Sequence, residues 1–289
     1  MSVINGSSFL DRSRAGVVNI WQRGVPVFER KIWTPHFIFL CLVGLAGIGL
    51  MVVRLVSGQL GLFTGLNDAY AWGVWKTVNV MALTALGSGG MAVGVAAWFL
   101  FRKRLHSVMR VALMTSFLFY FAGMVGLLVD MGRPWNIWNA FLPWRWNTES
   151  ALWEVSVAMP LYCFFFLAYE NSPTVVERFW YTGSPKTRAF IERWRPRMRK
   201  IYPYMIAGAY VTPMMHQSSL GALMTLAGDK VHGLWQSPLL PGLYLFQAAI
   251  CGFAFVIVCV MGACLVYRRP LDMGVLGELA SLMSWLILG

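Results

Sequence analysis

The sequence predicts an all-α, polytopic transmembrane helical bundle of about seven spans with its N-terminus on the cytoplasmic side. Three observations lead there. Hydrophobic residues make up 58% of the 289 positions and charged residues only 12%, about half the charged share of ordinary soluble domains. Several apolar runs exceed the roughly 20 residues that a helix needs to cross a hydrocarbon core. The basic residues alternate in number from one inter-run segment to the next, as the orientation rule for membrane helices requires.

Hydropathy places spans near 33–57, 75–101, 108–129, 150–170, 201–227 and 239–267, with a seventh from about 272 to Gly289. Residues 1–32 read as a cytoplasmic surface segment, helical from about 9 to 31, and residues 33–289 as the bundle. No apolar h-region precedes the first span, so a cleavable signal peptide is not expected. Of the 24 basic residues, 19 fall before span one, between spans two and three, between four and five, and after span six. Arg54, Lys76, Arg133, Arg145 and Lys230 fall on the other side. The net charge of +12 is therefore a topological signal and needs no nucleic acid to explain it.

Metal and haem chemistry find little support. The five cysteines (Cys41, Cys163, Cys251, Cys259 and Cys264) sit inside predicted spans without CxxC spacing, which reads as apolar packing rather than iron–sulfur or zinc ligation. A b-type haem needs axial ligands at one depth on facing helices. His36 lies near the cytoplasmic end of span one, His106 in a cytoplasmic loop, His216 in the outer half of span five and His232 in an outer loop. They do not make a pair.

Polar groups at membrane depth are costly and become functional candidates for that reason. Asp130 closes span three and is followed by Arg133, Trp135 and Asn136. Glu154 lies about one turn inside span four, after the helix-start signal Asn147-Thr148-Glu149-Ser150. Tyr120 lies ten residues before Asp130, roughly 15 Å along the helix. Span five carries Pro213, His216, Gln217, Ser218 and Ser219.

Plainer readings stand beside each. Asp130 and Arg133 can pair and cap a helix end. Tyr120 can be packing, and Trp135, Trp138, Trp144 and Trp146 an interfacial belt. The segment around His216 can be an interhelical hydrogen-bond cluster. Gly87, Gly89, Gly90 and Gly94, like Gly44, Gly47 and Gly49, read as points of close helix approach.

Four stretches carry a resemblance: Trp72-Gly73-Val74-Trp75, Asp130 through Asn136, Met215-His216-Gln217-Ser218-Ser219 onward to Met224, and Val231 through Ser237. With these the chain resembles the NrfD/PsrC family of integral membrane subunits, most closely its HybB-type branch from periplasmic nickel–iron hydrogenases. The resemblance covers about residues 35–270. It implies a haem-free membrane anchor subunit of a respiratory oxidoreductase in the bacterial inner membrane, without an iron–sulfur cluster of its own. Such a subunit exchanges electrons between a periplasmic, ferredoxin-like iron–sulfur partner and menaquinone or ubiquinone, with a catalytic subunit such as hydrogenase beyond. By resemblance Tyr120 and His216, with Trp135 and Arg133, belong to the quinone pocket, and Glu154 and Asp130 to proton transfer.

Two departures matter. The branch often has an acidic residue in span two where this chain has Asn79, beside Lys76. Family members have eight to ten spans, so the resemblance implies either a shortened member or further spans beyond residue 289. An ion- or proton-translocating transporter and a purely structural anchor are the competing classes. Internal repeats would favour the former, and none of note is present.

Overall fold

The computed structural model describes residues 33–56, 77–100, 102–130, 134–149, 151–226, 228, 232–266 and 270–288, and the regular elements among them are all helical. The expected N-terminal surface segment, the Trp72–Trp75 motif, Lys76 and Arg133 lie outside the described residues. Contacts divide the chain into two units, residues 1–58 and 59–289.

The first unit contains α1 (Pro35–Val56), 22 residues with no charged side chain before Arg54 in its last turn, long enough at 1.5 Å per residue to cross a bilayer core. Among the described residues no atom comes within 4 Å of where a Cβ on Gly44, Gly47 or Gly49 would stand.

In the second unit, span two is broken into a π-helical segment (Thr77–Ala82), α2 (Leu83–Gly87) and α3 (Gly89–Trp98). Ser88 makes the joint. Its N–H bonds to the Ala85 carbonyl, three residues back, and its Oγ donates to the Thr84 carbonyl at 3.0 Å. A hydroxyl that competes for backbone acceptors, flanked by glycines, is a known cause of helix interruption. After a 3-10 turn (Lys103–Ser107), α4 (Met109–Asp130) forms span three.

α5 (Ala151–Pro160) passes through a second π-helical segment (Leu161–Leu167) into α6 (Ala168–Thr182). Pro160 has no N–H to give, and the wider π turn follows it directly. α7 (Pro185–Thr225) is one helix of 41 residues. Residues 171–200, expected to connect spans four and five, are largely helical, since their arginines and lysines are good helix formers. Ser184 supplies an N-cap by accepting the Thr187 N–H, and Pro185 sits at the first helical position. α8 (Leu240–Val266) and α9 (Met273–Leu288) complete the described chain.

Among the described residues four stretches are long and apolar enough to span a membrane: Pro35–Arg54, Val78–Trp98, Met109–Val129 and Leu240–Leu265. The other expected spans fall on α5 with its π segment, on the second half of α7 and on the shorter apolar α9. The protein is a polytopic helical membrane protein.

Ion pairs gather the basic segments of this unit at one end. Arg110 at the start of α4 pairs with Glu177 of α6 at 3.1 Å, and Arg102 with Glu278 of α9 at 3.6 Å. At the centre α3 and α8 meet backbone to backbone: a Cβ on Gly252 would lie 2.6 Å from the Gly89 nitrogen. Such contact between small residues replaces hydrophobic burial as the packing force between helices in lipid. One core cluster joins α3, α4, α8 and α9 through Val93, Ala112, Val256 and Leu279. A second joins α4, the Leu161–Leu167 segment and α7 through Tyr120, Tyr162 and Ala209.

Candidate functional site

The second cluster contains the densest polar grouping among the described residues. Tyr120 of α4 and His216 and Gln217 of α7 are buried to 1% exposure or less, as is Ser88 at the joint of span two. Gln217 Nε2 donates to Ser88 Oγ at 3.3 Å and to the Tyr120 hydroxyl oxygen at 3.4 Å. The rings of Tyr120 and His216 stand 5.7 Å apart, and Tyr162 packs edge-on against Tyr120 at 4.6 Å.

Local structure makes room for this. A Cβ on Gly87 would lie 2.6 Å from the Tyr120 ring, so only glycine leaves that ring its place. One turn on, the Gly90 N–H donates to Ser116 Oγ at 2.7 Å, where a Cβ would collide with the same oxygen. The glycines of span two thus act as the sequence reading held, by admitting neighbours. What they admit is polar.

Chemically the grouping offers a phenol, an imidazole, a carboxamide and a hydroxyl in a buried interior. Because the Tyr120 oxygen accepts from Gln217, the phenolic proton is not used in that bond.

The remaining candidates are placed differently. Asp130 is the last residue of α4, ten residues along from Tyr120, and Glu154 lies in α5; the side chains of both fall outside the described residues. Trp135 is 66% exposed on the 3-10 segment Pro134–Phe141 and is not part of the buried grouping. Trp138 and Trp144 are exposed too, and the Arg145 guanidinium lies 5.2 Å from the Trp138 ring centre. Exposed indoles are what an interfacial belt requires.

Four contributors escaped selection as site residues: Ser88, Gln217, Ser116 and Tyr162. Gln217 was visible in the motif and Ser88 in the run Gly87-Ser88-Gly89-Gly90. Asn79, noted only as a departure, is buried against Gly126 of α4. His232 belongs to the fourth motif for a local reason: its Nδ1 accepts the Leu234 N–H at 3.3 Å and caps the 3-10 turn Gly233–Gln236.

Residues 63–288 match the family described as polysulphide reductase, NrfD. The chain belongs to the NrfD family. The resemblance drawn from the motifs is borne out, and this NrfD-family protein is accordingly a multi-pass integral membrane protein. It is 36% identical over 233 residues to the probable Ni/Fe-hydrogenase 2 b-type cytochrome subunit of Escherichia coli K12, covering 80% of this chain and 56% of that one. It is 28% identical over 213 residues to the integral membrane subunit of menaquinone reductase from Nitratidesulfovibrio vulgaris Hildenborough, covering 72% of this chain and 49% of the relative. The chain spans about half the length of the curated relatives it matches. No solved structure matches it significantly.

Proposed function

We propose that this NrfD-family chain is the haem-free, quinone-reactive membrane subunit of a respiratory oxidoreductase, most readily a hydrogenase. In this reading it has seven spans over residues 33–289, a cytoplasmic N-terminal segment over 1–32, and its working face toward the periplasm of the bacterial inner membrane. It passes electrons between a ferredoxin-like iron–sulfur subunit, behind which a catalytic subunit sits, and menaquinone or ubiquinone. One observation carries the proposal: Tyr120, His216 and Gln217 meet in the buried interior where three spans join. The relatives' names, a hydrogenase subunit and a menaquinone reductase subunit, support the choice of reaction.

The residues do not fit the haem that the Escherichia coli relative's name implies for that protein. His216 is buried, whereas His36, His106 and His232 are exposed, and His232 is engaged in capping a turn. A second imidazole at the depth of His216 is lacking, and no step is assigned to haem.

A bound quinone supplies a two-electron, two-proton acceptor. The chain's own groups do the rest. Tyr120 donates its hydroxyl proton toward a carbonyl oxygen, and Gln217 fixes the phenol by bonding its oxygen. His216, edge-on to the same ring, offers imidazole nitrogens that can take or give a proton. Glu154 and Asp130 carry protons between this interior and the outer face, with Arg133 and Trp135 at the mouth.

The test is quinone-linked turnover in membranes carrying Tyr120→Phe or Glu154→Gln, with assembly of the complex checked on the same sample. Loss of turnover in assembled complexes is expected. Wild-type turnover in both variants sinks the site assignment and leaves the structural-anchor reading.

A further inference from the structure

At the end where the basic segments gather lies a cavity of about 560 Å³ between the Lys103–Ser107 turn and α9. Arg102, Lys103 and Arg104 form one wall, and Glu278, Leu282 and Trp285 lie along the other. The α9 residues are spaced four and three apart, so they share one helix face and make a strip that runs up from the cationic end. From Gly274, also in the lining, to Trp285 that strip is eleven residues long, about 16 Å at the helical rise.

The charges do not cancel. Glu278 is taken by Arg102 at 3.6 Å, and among the described residues neither Lys103 nor Arg104 forms an ion pair. Arg104 is held close to α9, since a Cβ on Gly274 would lie 3.0 Å from its Nη1. Asp272 is the nearby acid, and its Oδ1 accepts the Gly274 and Val275 N–H groups at 3.0 and 3.2 Å, capping the helix. The cavity therefore shows surplus positive charge at one end, and at the other Leu282 and an exposed Trp285 make a short apolar strip beside Ser281.

We propose that this cavity binds an anionic phospholipid, its headgroup phosphate at Lys103 and Arg104 and an acyl chain along Leu282 and Trp285. A basic pocket at a helix end on the side rich in lysine and arginine is suited to such a headgroup. A free phosphate ion would satisfy the cations but leave the apolar strip unused.

The experiment uses the purified protein in non-ionic detergent, with thermal unfolding followed on addition of phosphatidylglycerol, phosphatidylcholine or glycerol 3-phosphate. Phosphatidylglycerol should raise the unfolding temperature, and the other two should not. Lys103→Gln with Arg104→Gln should weaken phosphatidylglycerol binding by about tenfold or more. Arg193→Gln with Arg195→Gln, elsewhere at the same end, should leave it unchanged. Equal effects of both lipids, full stabilisation by glycerol 3-phosphate, or equal loss in the two double variants would each overturn the proposal. Should the first double variant fail to fold, Trp285→Phe decides. It should reduce tryptophan quenching by brominated phosphatidylglycerol but not by brominated phosphatidylcholine, and an equal change in both refutes the site.

Discussion

The Gln217 side-chain nitrogen lies 3.4 Å from the Tyr120 hydroxyl oxygen, a bond between α7 and α4 across 97 positions of sequence. The same nitrogen reaches Ser88, so one carboxamide ties three spans together at the point where the sequence motifs place function.

Removing that carboxamide should cost stability before it costs chemistry. Gln217→Ala leaves the Ser88 and Tyr120 oxygens buried without their donor, a loss of about 1–3 kcal/mol. Thermal unfolding in detergent should show it, and Gln217→Glu should not restore the wild-type midpoint, because it removes the donated N–H groups.

The two packed tyrosines should separate by role. Tyr120→Phe keeps the ring contacts and removes the proton donor, so quinone turnover should fall by about tenfold or more. Tyr162→Phe keeps the edge-on contact with Tyr120 and should be much closer to wild type. Equal losses in the two variants would show that the ring pair matters as packing only.

Much of this was legible in the sequence. Five predicted spans agree with helices at both edges to within a few residues, because long apolar runs leave few choices in a bilayer. The basic run 178–200 hid a helix for the same reason: hydropathy reports burial in lipid, and an exposed charged helix carries no such signal. His216 and Tyr120 were each picked singly, but their meeting depends on Gly87 and Gly90 admitting α4, a steric fact spread over two segments. Ser88 was the harder case. A serine in a glycine run looks like one more small residue until its partner on α7 is known.

The α3–α8 crossing makes a packing prediction. Gly89→Val or Gly252→Val forces a side chain into backbone at under 3 Å, and overpacking of this kind costs about 1–3 kcal/mol or more. Yield of folded protein after detergent extraction should drop for either. Gly262→Ala, which meets nothing within 4 Å among the described residues, should be neutral.

Orientation can be read directly. In otherwise cysteine-free protein, Ser107→Cys should be shielded from an impermeant maleimide in intact spheroplasts and react only after lysis. Gly233→Cys should react in both. Reversed labelling would invert the assignment of the working face.

The haem reading has a spectral consequence. Purified protein should show no dithionite-induced absorption band in the α region, and His216→Ala should leave that region unchanged. A band lost in the variant would require a porphyrin at this imidazole.

The unbroken length of α7 gives it a mechanical property. A 41-residue rod rooted among arginines at one end carries His216 and Gln217 near the other, so a push on its charged half is delivered to the buried pair as rotation or tilt. Pro196, Pro203 and Pro213 each deprive a carbonyl four residues back of its helical donor, and Pro213, three residues before His216, is the joint nearest the buried pair.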